Sequence, residues 1–210
     1  HPGAAETFGK IVFERSADDY FHSDLILIWG GNPLYTQIPN AHYLTEARYK
    51  GGKLVCIAPG FSASSIHADL YVPVKPGGDA ALGLAIAQVL VEEGFVDEGF
   101  VAEQTDLPLL VRDDTRLYLR ASDLHRGGSE EEFRFYDAKR GLTASSKRSL
   151  ALEGAQPSLE GHFEAVLADG SRVGVRPVFE LLKQRLAEYA PERAEAMCGT
   201  PAALIRRLAR

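Results

Sequence analysis

The sequence predicts an α/β protein: a parallel-sheet, nucleotide-binding (Rossmann-like) unit with a β-rich insertion and C-terminal helices. Three observations carry this expectation. Short apolar runs recur at 24–29, 53–58 and 69–74, each ends in a loop rich in glycine and proline, and helical patterns alternate with them. The 210 residues, 45% hydrophobic and 25% charged, suffice for one or two domains with a proper core. Disordered, collagen-like and disulfide-stapled classes are poor fits.

The elements follow in order. Asp24-Leu-Ile-Leu-Ile-Trp29, closed by Gly30-Gly31-Asn32-Pro33, reads as a parallel strand buried on both faces. Asn40–Lys50 lacks glycine and proline, spaces Tyr43, Ala47 and Lys50 at helical intervals and stops at Gly51-Gly52, which predicts a helix. Lys53-Leu-Val-Cys-Ile-Ala58 repeats the strand pattern before Pro59-Gly60, and Asp69-Leu-Tyr-Val-Pro-Val74 does so before Pro76-Gly77-Gly78. The alanine- and leucine-rich run Asp79–Glu93 is expected to be a helix capped by Asp79 and ended by Gly94, with a second helix near Asp97–Glu103. Strands alternating with helices at this spacing imply βαβ crossovers.

After Leu107 the texture changes. Arg126–Glu132 and Thr143–Ser149 are polar, with short alternating runs between them. Phe163–Ala168 and Ser171–Val175 flank Asp169-Gly170, which predicts a hairpin with a type I′ turn. Phe179–Tyr189 reads as an amphipathic helix stopped before Pro191, and Thr200-Pro201 as the cap of a basic last helix through Arg210. The expected organisation is a lead-in over 1–21, an α/β unit over 22–112, a β-rich insertion over 113–177, and a helical segment over 178–210 that returns to the α/β unit.

Charge narrows the partners. A net charge of −6, from 23 Lys+Arg against 29 Asp+Glu, lacks the positive excess that phosphate-backbone binding needs, so no nucleic acid is expected. Apolar stretches such as Leu25–Trp29 and Leu107–Val111 fall far short of the roughly 20 residues that span a bilayer, so no membrane span is expected in this chain. Cys56 and Cys198 are too isolated for a Cys-Cys metal motif. His1, His22, His42, His67, His125 and His162 are scattered, and no HExxH, GxGxxG or GxxxxGK[ST] occurs. Residue chemistry therefore predicts neither a catalytic residue nor a protein-built metal site. The chain opens at His1 and its only methionine is Met197, so sequence is expected to precede it.

What remains is binding. Ligands of open parallel sheets sit beyond the carboxyl ends of the strands, where loops present free backbone N–H groups. Gly30-Gly31-Asn32-Pro33 can approach a pyrophosphate closely, and reads equally as a tight turn. Pro59–Ser65 offers the hydroxyls of Ser62, Ser64 and Ser65 where a ribose usually lies, or forms a polar loop with a hydroxyl-capped turn. Lys75-Pro-Gly-Gly-Asp79 places at a helix start a carboxylate that can accept two N–H donors from a guanine edge, or merely cap the helix.

Taken in sequence, Leu27-Ile-Trp-Gly-Gly-Asn-Pro33, Ala41-His-Tyr-Leu-Thr-Glu-Ala-Arg-Tyr-Lys-Gly51, Lys53-Leu-Val-Cys-Ile-Ala-Pro59 and Ala68-Asp-Leu-Tyr-Val-Pro-Val-Lys-Pro-Gly-Gly-Asp-Ala-Ala-Leu82 resemble the dimethyl sulfoxide reductase family of molybdenum enzymes. Glu46–Gly51 and Gln104–Arg112 look most like the catalytic subunits of its nitrate, perchlorate, selenate and ethylbenzene group. The resemblance runs from about Thr7 to Arg112, and Met197–Thr200 and Leu204–Arg210 also fit. It implies a bis(molybdopterin guanine dinucleotide) molybdenum cofactor. Carried over, Trp29, Gly30 and Asn32 hold the pyrophosphate region, Ala58, Pro59 and Ser62 the ribose, and Lys75, Pro76, Gly77 and Asp79 the guanine. Gly60 and Gly78 depart from the acidic residue and threonine common in relatives.

The resemblance also implies that the molybdenum-ligating aspartate lies just upstream of His1, before a triplet matching Thr7-Phe8-Gly9. An N-terminal iron–sulfur cluster and a C-terminal cofactor domain would lie outside this chain, making it the middle portion of a longer catalytic subunit that is inactive alone. The whole enzyme is expected to act on a small-molecule substrate, an oxyanion such as nitrate, chlorate or perchlorate ahead of a hydrocarbon or dimethyl sulfide, and to pass electrons through an iron–sulfur subunit. Relatives favour the periplasm. Two other readings stand beside this one: a non-redox nucleotide-binding module, and a role for Leu107–Val175 as a docking surface for an electron-transfer subunit.

Overall fold

A computed structural model of the chain describes residues 16–145, 152 and 154–210. Thr7-Phe8-Gly9, most of the expected lead-in and the end of the Thr143–Ser149 stretch lie outside the described residues. The chain divides into two compact units, His1–Leu82 with Glu195–Leu204, and Gly83–Ala194 with Ile205–Arg210.

In the first unit β1 (Leu25–Trp29), β2 (Lys53–Ala58) and β3 (Leu70–Pro73) form a parallel sheet in the order β1-β2-β3. Parallel neighbours cannot be joined by a tight turn. α1 (Pro33–Thr36) and α2 (Ala41–Tyr49) therefore lie between β1 and β2, and α3 (Ala63–Ile66) lies between β2 and β3. α2 buries Leu44 and Ala47, three residues apart on one helical face, in a cluster with Ile26, Ile28, Leu54, Cys56 and Ala58. These strand residues alternate, as one face of a sheet must. The odd-numbered positions of β2, Val55 and Ile57, are buried as well.

The expectation that the first strand is buried on both faces does not hold. Leu25, Leu27 and Trp29 are 52%, 44% and 37% exposed, because β1 is an edge strand paired only with β2 among the described residues.

α4 (Asp79–Glu92) follows β3. Its first backbone bond runs from the Leu82 N–H to the Gly78 carbonyl, so Gly78 takes the cap position expected for Asp79, whose carboxylate is engaged elsewhere. α5 (Glu98–Gln104) lies where a second helix was expected, and Asp97 caps it by accepting the Phe100 N–H at 2.9 Å.

The second unit holds the antiparallel sheet β4-β8-β7, built from β4 (Leu110–Arg112), β7 (Phe163–Val166) and β8 (Arg172–Pro177), beside the hairpin of β5 (Arg134–Asp137) and β6 (Gly141–Ala144). α6 (Ala121–Leu124) precedes the hairpin. Leu110, Leu119, Ala165, Val173 and Val175 form the core, and the rings of Tyr136 and Phe163 stack at 3.7 Å beside it. The β7–β8 hairpin is present, but not with the expected type I′ turn. Gly170 alone takes a positive φ, +86°, in the turn closed by its N–H on the Leu167 carbonyl. Asp169 stays in the ordinary region, its carboxylate accepting both the N–H and the hydroxyl of Ser171. This is the three-residue arrangement with a left-handed glycine after a common turn.

α7 (Val178–Leu186) continues through a 3-10 turn to Tyr189, and α8 (Pro191–Cys198) follows it, a helix opened by its proline that the sequence reading passed over. α9 (Ala202–Ala209) closes the chain. Its first turn is held not by Thr200, as expected, but by the Glu195 carboxylate, which accepts the Ala202 N–H at 2.8 Å. Thr200 is buried and donates its hydroxyl to the Pro73 carbonyl at 2.6 Å, so the segment joining α8 to α9 is tied to the end of β3.

Candidate functional site

Because β1, β2 and β3 run parallel, the segments after Trp29, Ala58 and Pro73 emerge at one edge of the sheet. These are the segments that the sequence singled out. They are stitched together by side chains.

Trp29 is the last residue of β1. Its indole N–H donates to Asp79 Oδ1 at 2.8 Å, joining the first loop to the third across fifty positions of sequence. Among the described residues Asp79 Oδ2 has no partner. Gly30 continues the ladder through its N–H to the Ile57 carbonyl. Asn32 accepts at Oδ1 the hydroxyl proton of Ser64 at 2.6 Å, which joins the first loop to the second. Ser64 in turn accepts the Leu34 N–H at 3.3 Å.

In the second loop Ala58 is nearly buried, and its carbonyl takes the Tyr71 hydroxyl at 3.0 Å, whereas Pro59 is exposed. Ser62 opens α3, with its N–H donated to Ser65 Oγ at 3.1 Å. Of the three serines read as ribose contacts, Ser64 and Ser65 are buried and hydrogen-bonded within the protein, Ser65 beside Cys56 Sγ at 3.2 Å. Ser62 alone stays partly open to solvent.

The third loop is a tight turn over Lys75-Pro76-Gly77-Gly78, closed by the Gly78 N–H on the Lys75 carbonyl at 2.8 Å. Proline at its second position and a φ of +82° at Gly77 make it type II, a geometry that favours glycine there. Gly78 is needed for a different reason. A Cβ at this position would stand 2.7 Å from Cys198 Cα, so a larger residue has no room here unless the backbone shifts. The Lys75 N–H donates to the Cys198 carbonyl at 2.7 Å, so the segment after α8 braces this loop. A cavity of about 320 Å³ runs beside β1, lined by Leu25, Leu27, Gly31, Asn32, Pro33 and Leu44 among others. It reaches Asn32 but not Asp79, Lys75 or Ser62.

The arrangement can grip a nucleotide-like anion. It offers a carboxylate acceptor at Asp79, an amide at Asn32, a hydroxyl at Ser62, and glycines at 30, 60 and 77 with open space before them. This mix of amide, hydroxyl and carboxylate groups suits a polar organic ligand better than a bare metal ion. Among the described residues no cluster of three His, Cys, Asp or Glu side chains is placed to hold a metal. Sequence reasoning assigned Trp29 and Asp79 to different parts of a ligand, and the structure puts them in direct contact. It also missed Ser64 as the link between loops, for which no local pattern exists.

Polar groups of the second unit are instead used on one another. Arg112 bonds Asp114 and Asp123, with the Asp114 hydrogen bond foremost in raising its pKa. Buried Asp137 accepts the backbone N–H groups of Lys139, Arg140 and Gln156. Burial, followed by its bond to Asp106, pushes Tyr118 up to about 12.

The family model for molybdopterin oxidoreductase matches residues 3–205. Perchlorate reductase subunit alpha of Dechloromonas aromatica (strain RCB) is 38% identical, over 100% of this chain and 26% of its own length. Chlorate reductase subunit alpha of Ideonella dechloratans is 41% identical over 91% of this chain and 21% of its own. Dimethylsulfide dehydrogenase subunit alpha of Rhodovulum sulfidophilum is 36% identical over 97% and 23%. The chain thus spans about a quarter of the length of these curated relatives.

Proposed function

This chain belongs to the molybdopterin oxidoreductase family, and on that premise we propose that its first unit binds the guanine dinucleotide arm of a bis(molybdopterin guanine dinucleotide) cofactor. The observation that carries the reading is Asp79, held at the carboxyl edge of the sheet by the Trp29 indole with Oδ2 open. Guanine presents adjacent N–H donors to such a carboxylate, whereas the matching edge of adenine presents a ring nitrogen acceptor that it repels. Trp29, Gly30 and Asn32 lie toward the pyrophosphate, Ala58, Pro59 and Ser62 toward the ribose, and Lys75, Pro76, Gly77 and Asp79 at the base.

When bound, the cofactor's molybdenum supplies two-electron redox chemistry. The residues here supply grip and orientation, with the type II turn at Gly77 and the brace from Cys198 holding the base-binding loop. The whole enzyme, in this proposal, reduces an oxyanion such as perchlorate, chlorate or nitrate, carries an iron–sulfur cluster, and exchanges electrons through an iron–sulfur subunit. Likeness to dimethylsulfide dehydrogenase supports a second reading, oxidation of an organic sulfide on the same grip.

The test is calorimetric titration of GDP and ADP into the full chain free of cofactor. GDP is expected to bind more tightly, and Asp79→Ala to weaken GDP about tenfold while leaving ADP unchanged, as loss of one charged hydrogen-bond pair predicts. Equal binding of both nucleotides by the unaltered chain overturns the guanine reading. Trp29 is the only tryptophan, so its fluorescence reports occupancy independently.

A further inference from the structure

We infer that Ser64 is a positioning residue that locks the Asn32 side chain into a donor-only role, making the first loop selective for the oxyanions of a diphosphate. The inference rests on the dinucleotide reading above and adds a residue and a selection rule to it.

The argument is one of proton direction. A backbone N–H can only donate, so the Leu34 N–H gives its proton to Ser64 Oγ. The serine hydroxyl has one proton of its own and is wholly buried, with Asn32 as its acceptor at 2.6 Å. Turning the Asn32 amide over would set Nδ2 against Ser64. The serine proton would then have no acceptor, an arrangement that costs the desolvation of a buried hydroxyl. The amide is therefore fixed with Oδ1 inward.

Its Nδ2, carrying two N–H donors, has no protein partner among the described residues. Asn32 also stands at the start of α1 without using its side chain to cap that helix, although capping is the usual role of asparagine in that position. The carbonyl oxygen that would cap is engaged by Ser64. With Oδ1 held by Ser64, the part of the Asn32 amide left without a partner is its pair of N–H donors, beside the glycines of its loop. Phosphate oxyanions, charged and acceptor-only, satisfy these donors more strongly than a neutral hydroxyl does, and an ammonium group gains nothing there.

The test compares GDP with guanosine, which keeps the base and lacks the diphosphate, in the full chain free of cofactor. Ser64→Ala is expected to weaken GDP five- to tenfold and leave guanosine unchanged. In an Asn32→Ala background the same serine change should have no further effect. Equal loss of guanosine and GDP, or the same loss in the Asn32→Ala background, would show a merely structural serine and overturn the inference.

Asn32→Asp guards against a folding failure at the buried serine. It keeps an acceptor for Ser64 but turns an oxygen toward the ligand, so GDP should fall at least tenfold with guanosine unaffected. Unchanged GDP binding in that variant also overturns the inference. Unaltered protein that does not prefer GDP to ADP removes the dinucleotide reading itself, a result separable from a protein that prefers GDP but is indifferent to Ser64.

Discussion

β1 and β2 lie side by side, paired from Leu25↔Lys53 to Trp29↔Ile57, and their sequences look interchangeable. Their fates differ. Leu54–Ala58 of β2 are all buried, whereas β1 alternates, with Ile26 and Ile28 inward and Leu25, Leu27 and Trp29 in contact with solvent. Composition does not decide burial on two faces; neighbours do, and β2 has a strand on each side. The consequence is functional. At one level of the sheet Ile57 contributes packing alone, while Trp29, its edge partner, keeps an indole free to hold Asp79.

The largest effect that tests this contrast is a pair of truncations. Ile57 is wholly buried, so Ile57→Ala should cost about 3 kcal/mol through lost burial and the cavity left behind. Leu27 is 44% exposed, and Leu27→Ala should cost under about 1 kcal/mol. Urea unfolding of both variants reads the difference. Equal costs would mean that the outer face of β1 is covered in the folded protein, and the contrast would fail.

A smaller effect asks whether the exposed end of β1 senses the loop beyond β3. Gly78→Ala sets a Cβ 2.7 Å from Cys198 Cα, a backbone contact that cannot give way as a flexible side chain would. The cost is expected to be about 2 kcal/mol, as for other overpacked sites. Displacement of this loop should carry Asp79 away from Trp29, so the emission of the single tryptophan should shift while far-ultraviolet circular dichroism stays constant. Unshifted emission would separate the two loops.

Much of this was legible in the sequence, for identifiable reasons. The three parallel strands and their helices announce themselves by apolar runs and by glycine or proline stops, both local properties. The loops of the candidate site followed from the topology, since parallel strands bring their carboxyl ends to one edge. What escaped was set by long-range partners. Nothing near Thr200 reveals that its hydroxyl serves Pro73, or that Glu195 holds the last helix in its place. Likewise, Asp79 looked like a helix cap because its partner lies fifty residues earlier. The type I′ assignment failed at Asp169, whose side chain found a better use on Ser171.

The smallest effect sharpens the contrast at the other end of the two strands. β2 is anchored at its start, where Asp69 accepts the Leu54 N–H at 2.9 Å and a two-point contact from Arg48. The Arg48 hydrogen bond, and then the Leu54 N–H, hold the Asp69 carboxyl below its ordinary range. A carboxylate with a lowered folded-state pKa stabilises the fold fully above the unfolded value of about 3.9, and that contribution disappears as pH falls through the lower folded value. The pair is partly exposed, so solvent screening limits its worth to about 0.5–1 kcal/mol. Asp69→Asn should therefore lower stability by that amount at pH 7 and by progressively less below pH ~4, where the unaltered protein loses the same tie. Urea midpoints across this acid range read the convergence. A gap that stayed constant down to the lowest pH would show that the charge on Asp69 is not what secures the start of β2, leaving the two strands distinguished by their neighbours alone.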